Sequence, residues 1–290
     1  MPELKQRGAG AGRDAVSAAA AAGEGPGPRP WKAEAGVFLA VAFAAAGAWG
    51  AVQPATGIPP EVVQLTQFGP AVAVAAVAAL WPGRIRRRLA GALPGAGAAP
   101  AGERRGPARG PLLLLTAVLI TTLSAGAYAM AEAGPVHLTD PRSLRNPFLL
   151  IAVAQLVGAC GEEIGWRCLL QPLLRTRFGP LTASSLVGVV WGLWHVPVLA
   201  QAPAYAAAFL AGTVAMSVVL GLALEHVRGN RLLLAGGFHT LVNLGMLLCM
   251  DEESGAVLPM VLFGGACVAV AVPWVAAAVR ITAGAAHEAR

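Results

Sequence analysis

Two adjacent glutamates, Glu162 and Glu163, and an arginine four residues on, Arg167, lie inside an apolar run, ACGEEIGWRCLLQPLL, long enough to cross a bilayer. Charge at membrane depth is costly, so it marks a functional site by default. Two later apolar stretches each carry one histidine: His195 in WGLWHVP, and His239 in GGFHTLVNLG with Asn243 one turn beyond it. A carboxylate with two imidazoles is the acid/base or ligand set of a hydrolase.

Helix geometry divides these residues into roles. Glu163 and Arg167 are spaced i,i+4 and share one face, where they can form an ion pair. Glu162 is rotated by about 100 degrees and points to a different neighbour. Arg167 is therefore expected to hold Glu163, leaving Glu162 free to face a cavity and bind or deprotonate water. The bland alternative is a buried salt bridge that only fixes packing. His239 and Asn243 also share a face, and the carboxamide can orient a ligand or donate to an oxyanion. Pro197 follows His195 closely and is expected to kink or end the helix there. A single membrane histidine is commonly an interhelical hydrogen-bonding residue; two of them with an unpaired glutamate favour a site.

The elements that must position these groups are membrane helices. The chain has 290 residues, of which 56% are hydrophobic and 12% charged, and its mean hydropathy is +0.64. This composition lies outside the soluble range and predicts an all-α, polytopic transmembrane helical bundle. Eight spans are expected, near 35–53, 64–82, 111–131, 147–174, 181–200, 204–227, 231–250 and 256–279. The organisation reads as a disordered cytoplasmic tail over 1–34, N-terminal membrane helices over 35–131 with a flexible basic loop at 83–110, a catalytic core over 147–250, and a last helix and tail over 256–290. No signal peptide is evident.

The net charge of +6 is explained by topology rather than by nucleic acid. Lys5, Arg7, Arg13, Arg29 and Lys32 precede the first span, and Arg84, Arg86, Arg87, Arg88, Arg104, Arg105 and Arg109 lie between the second and third. The positive-inside rule places both groups, and hence both termini, in the cytoplasm of a bacterial-type plasma membrane. Arg175, Arg177, Arg228, Arg231, Arg280 and Arg290 then fall inside, and Asp140, Asp251, Glu252 and Glu253 outside with only Arg142 and Arg145. Cys160, Cys168, Cys249 and Cys267 show no metal-binding spacing and read as small apolar residues. His137, His226 and His287 fall in linkers or the tail and are excluded from the site. Trp166, Trp191 and Trp194 surround the polar cluster, either walling a pocket or packing helices.

EEIGWR, WGLWH and HTLVN together resemble the CPBP family of intramembrane proteases, whose pattern is EExxxR, FxxxH and HxxxN on separate helices. That family includes the type II CAAX prenyl endopeptidases and the bacterial Abi-type self-immunity proteins. The resemblance covers roughly residues 147–250, and Trp191 stands where the family usually has Phe. It implies that Glu162 activates the hydrolytic water, that Glu163 and Arg167 belong to the catalytic set, and that His195 and His239 complete the site. Asn243 would then stabilise the tetrahedral oxyanion. A divalent metal, zinc, held by Glu162, His195 and His239 is compatible with the same residues. The implied substrate is a membrane protein or lipidated peptide, cut within the bilayer or at its cytoplasmic side. Rival readings are a non-catalytic immunity or partner-binding protein, and an ion-coupled transporter using the same groups as a relay.

Overall fold

A computed structural model of the chain describes residues 30–93, 109–136, 138–225, 227, 229–250 and 255–288. All regular structure among these residues is helical. The first helix, α1, runs over Pro30–Thr56 and is followed by a 3-10 turn, Leu65–Phe68, that leads into α2, Gly69–Leu80. A short basic helix, α3, spans Pro82–Leu89. Then come α4, Arg109–Ala131, and α5, Phe148–Gly165. A π-helical turn, Trp166–Leu170, joins α5 to α6, Gln171–Arg175. The remaining helices are α7, Pro180–Trp194; α8, Pro203–Leu224; α9, Arg231–Cys249; and α10, Val257–Glu288.

Six of these helical stretches are long and apolar enough to cross a bilayer, and the chain is an integral, multi-pass membrane protein. The second and fifth expected spans are the shorter apolar helices Leu65–Leu80 and Pro180–Trp194. At about 1.5 Å per residue each is shorter than the hydrocarbon core of about 30 Å. The fifth span was expected to reach residue 200, but α7 stops at Trp194. Pro197 has no N–H to donate and its ring crowds the preceding turn, while Val196 before it is biased away from helix. Residues Val196–Ala200 instead form a 3-10 turn.

Helices approach closely where small residues remove side-chain bulk, as membrane packing requires. Gly158, Gly161 and Gly165 line one stripe of α5, against Gln67, Phe68, Pro70 and Phe38. Gly236 of α9 abuts Cys160 of α5, and Gly188 and Gly192 of α7 abut Val214 and Thr213 of α8. These contacts set the rotation of α5, α7 and α9, the three elements that carry the charged and imidazole groups.

The basic segment after α2 corrects one expectation. Its described part is not a flexible loop: α3 docks on α1, with Arg84 and Arg88 each donating to Glu34 at 2.9 Å and Ile85 buried. Residues 90–92 continue onto α9, where the Leu232 N–H donates to the Ala92 carbonyl at 3.0 Å. The helix also begins at Pro30, inside the expected tail, and α10 continues past 279 to Glu288. The tail over 1–29, residues 94–108 with Arg104 and Arg105, His137, His226, Arg228, Asp251, Glu252, Glu253 and Arg290 lie outside the described residues, as does the side chain of His287. Among the described residues, Cys160, Cys168, Cys249 and Cys267 form no disulfide.

A Cβ added to Gly165 would lie 2.5 Å from Pro70 Cβ and 2.9 Å from Phe38 Cζ, whereas one added to Gly47 meets open space. Gly165→Val is therefore expected to destabilise the detergent-purified protein by about 1–3 kcal/mol through overpacking. Gly47→Ala should stay within about 0.5 kcal/mol of wild type. Thermal unfolding of the two variants side by side checks this.

Candidate active site

The α5 helix brings Glu162 and Glu163 into the interior near its C-terminal end, and Arg167 follows inside the π-helical turn. Their exposures are 1%, 0% and 2%. A π turn widens the helix by one residue and is frequent at functional sites. Here it begins at Trp166, directly after the glutamate turn, and all five of its residues are buried. The Glu163 carboxylate has two cationic or potentially cationic partners. Oε2 lies 3.3 Å from Arg167 Nε, close enough for an ion pair but without hydrogen-bond alignment. Oε1 accepts from His239 Nδ1 at 3.0 Å.

The second glutamate is not as free as its rotation on the helix suggested. Glu162 Oε2 accepts a hydrogen bond from the Trp191 indole N–H at 2.8 Å. Trp191 organises much of the site: the Arg167 guanidinium sits over its ring at 4.9 Å, a cation–π contact, and its ring meets His239 edge-on at 5.2 Å. Its carbonyl accepts from His195 Nδ1 at 2.8 Å. The indole N–H is what tryptophan adds at a position where a phenylalanine could supply only the ring.

Both imidazoles therefore use Nδ1 for an internal hydrogen bond and leave Nε2 for other partners. His195 caps α7 and is gripped edge-on by Trp194 and by Phe209 of α8, with ring centroids 5.1 and 5.0 Å away. Asn243 donates through Nδ2 to Gln155 Oε1 at 3.0 Å. Gln155 in turn donates to the Glu61 carbonyl at 3.3 Å. Neither Gln155 nor the Trp191 N–H was part of the expected site. Gln155 had a readable signal, because it precedes Glu162 by seven residues, two helical turns on the same face of an apolar span.

Glu162, His195, His239 and Asn243 all line one cavity of about 580 Å³, together with Gln155, Tyr205 and Phe209. Glu163 and Arg167 stand behind that wall and hold its members from the rear. Trp191 shares this supporting layer, whereas Trp166 packs away from it, against Phe38 and Trp194. The expected zinc ligands thus share a cavity wall, but they do not converge on a point. Among the described residues no three His, Cys, Asp or Glu groups could hold a metal ion. The carboxylate behind His239 is the kind of partner that orients a metal-bound imidazole, yet it equally fixes an imidazole that binds substrate or water.

Comparison with known proteins gives this geometry a context. Residues 144–245 match the type II CAAX prenyl endopeptidase Rce1-like family. The chain is 25% identical over 163 residues to CAAX prenyl protease 2 of Methanococcus maripaludis, a stretch that covers 52% of this chain and 60% of that protein. It is 26% identical over 145 residues to lysostaphin resistance protein A of Staphylococcus aureus strain MRSA252, covering 50% of this chain and 34% of that one. The matched stretch spans less than two thirds of the length of either relative. Every residue of the polar cluster described above, from Gln155 to Asn243, falls within the family match.

Removing Arg167 would leave Glu163 in an apolar interior with His239 alone. Arg167→Met is expected to cost about 3–5 kcal/mol, the range for breaking a buried pair from one side. Adding Glu163→Gln should recover part of that loss, with a coupling of about 0.5–3 kcal/mol in the double-mutant cycle. Denaturation of the four proteins in one detergent gives the cycle.

Proposed function

We propose that this chain is an intramembrane endopeptidase in which Glu162 activates water for attack on a peptide bond. The family match and the archaeal relative support a CAAX-protease-like hydrolase. The observation that carries the finer reading is the single cavity onto which Glu162, His195, His239 and Asn243 all open.

Glu162 has one oxygen held by the Trp191 N–H and the other available to take a proton from water. The hydroxide so formed attacks the scissile carbonyl carbon. Asn243 has one amide hydrogen on Gln155 and a second to donate to the developing oxyanion, a contribution of the oxyanion-hole kind. His239, with Glu163 at its Nδ1, presents Nε2 to the same intermediate as a protonated donor. His195, fixed by the Trp191 carbonyl, offers its Nε2 lone pair to position the water. When the C–N bond breaks, Glu162 returns its proton to the leaving amine, so the carboxylate is regenerated. A metal held by Glu162, His195 and His239 would supply Lewis-acid activation of the same water, but the donors would first have to close on one point, and the steps above do not require it.

The substrate on this reading is a membrane protein or lipidated peptide reached from the bilayer. One relative is named as a CAAX prenyl protease and another as a lysostaphin resistance protein, so a partner-binding role without cleavage is the competing reading. Purified protein should cleave members of a panel of prenylated and unprenylated membrane-associated peptides. Glu162→Gln should abolish cleavage while leaving thermal stability near wild type. Cleavage that survives the substitution would sink the mechanism, and peptide binding without cleavage by wild type would favour the binder. Chelation decides the metal question: a lost rate that zinc restores would show that the donors close around a metal, and an unchanged rate would show that Glu162 works without one.

A second variant tests the support of the base. Trp191→Phe keeps an aromatic ring beneath Arg167 but removes the N–H from Glu162. A hydrogen bond to a charged group contributes about 1.5–3 kcal/mol, so kcat should fall by roughly 10- to 100-fold at nearly unchanged KM. An unaltered kcat would show that Glu162 does not depend on this contact.

A further inference from the structure

Following the chain across the bundle sorts its turns onto two faces. α1 starts at one face, where Glu34 takes Arg84 and Arg88 of α3. It ends at the other, where the Gln53 side chain holds the backbone of Val63 and Leu65. α4 and α9 run the same way. At their start Arg231 donates to the carbonyls of Arg88 and Ala90, and at their far end the Thr139 N–H donates to the Leu248 carbonyl.

Charge divides unevenly between these faces. The first carries Lys32, the Arg84–Arg88 run and Arg109 at and around the ends of α1, α3 and α4. The other helix ends there add Arg175, Arg177, Arg231 and Arg280, offset among the described residues by Glu34, Glu225 and, at the end of α10, Glu288. The second face has Glu61, Glu132 and Asp140 against Arg142 and Arg145. An excess of arginine and lysine in short connections marks the cytoplasmic side.

The cavity belongs to the other face. Pro60, Glu61, Thr139, Leu144, Val198 and Met250 line it from the turns after α1, α4, α7 and α9. None of its lining residues comes from the basic-face turns at 81–93, 176–179 or 225–230. On the basic face, among the described residues, one cavity of about 180 Å³ is lined by Arg167, Gln171 and Arg175 and another of about 370 Å³ by Glu34, Arg84 and Arg88, and neither shares a lining residue with the site cavity. Between the first of these and the site cavity lie the Glu163–Arg167 pair and the Trp191 ring. With cytoplasmic termini, this placement of the cavity disfavours cleavage at the cytoplasmic side and leaves the other expected location, within the bilayer.

We infer that the candidate site is loaded from the extracytoplasmic side, so that its substrates are extracytoplasmic segments of membrane-associated polypeptides rather than cytoplasmic C-terminal tails. The inference rests on the endopeptidase reading for what is cleaved and on topology for where it enters. Met246, Met260 and Phe209 in the wall suit an apolar side chain next to the scissile bond, and the deformable methionines accept more than one shape.

Single cysteines report the orientation directly. Ser143 and Arg86 are exposed on opposite faces, and neither belongs to the site. Ser143→Cys and Arg86→Cys are expressed as full-length chains in bacteria and treated with a membrane-impermeant maleimide, the unsubstituted chain serving as the blank for its own four cysteines. Ser143→Cys should label several-fold above the blank in intact cells, and Arg86→Cys only after permeabilisation. Any other pattern overturns the inference, whether reversed, labelled from both sides or unlabelled. Glu132→Cys and Arg87→Cys, also exposed on the two faces, repeat the measurement if either first variant fails to accumulate. Labelling is independent of catalysis: the expected pattern together with peptide binding but no cleavage by wild type would keep the orientation and discard the endopeptidase reading.

Discussion

The structure depends on compensating one buried carboxylate. Glu163 is fully enclosed, and an isolated charge in such surroundings is untenable without partners. It has two, Arg167 one turn along its own helix and His239 on α9. Because those partners sit on different elements, satisfying the charge also fixes how α5 and α9 face each other. The guanidinium is in turn seated on Trp191, which brings α7 into the same arrangement. Three helices are thus locked in register around a polar centre that the lipid phase could not otherwise accommodate.

The two glutamates, adjacent in sequence, have separate physical circumstances. Glu163 is surrounded by its partners and does not reach the cavity, whereas Glu162 does, with a single indole N–H to orient it. A layer of groups that hold other groups is what positions reactive side chains to within fractions of an ångström. Trp191 provides most of that layer here. Its ring, N–H and carbonyl each contact a different member of the cluster, which gives a physical meaning to tryptophan at a position where the resembled motif usually has phenylalanine.

Much of this was legible in the sequence. The apolar segments stand out by composition, and all eight have helical counterparts, two of them shorter than a full crossing. The end of α7 followed from Pro197. The pairing of Glu163 with Arg167 followed from their spacing. Other features were not legible. The contact of Glu163 with His239 links residues 76 apart in the chain, and the Trp191 hydrogen bond to Glu162 links residues 29 apart. No periodicity encodes such contacts. The docking of α3 on α1 was also missed, since a Pro/Gly/Arg-rich composition gives little sign that Glu34 waits fifty residues earlier to receive Arg84.

By itself the sequence determined that this is a helical membrane protein with a carboxylate, two imidazoles and a carboxamide at bilayer depth. Those facts depend on local quantities, the apolar content of a window and the identity of the residues inside it. Only the tertiary structure decided which groups stand behind Glu162 and at which face the cavity opens. Each of these depends on how the helices are rotated about their axes, and that rotation is set by close packing at Gly158, Gly165, Gly188 and Gly236. Such contacts join positions far apart in the chain, so no single segment contains the information that fixes them.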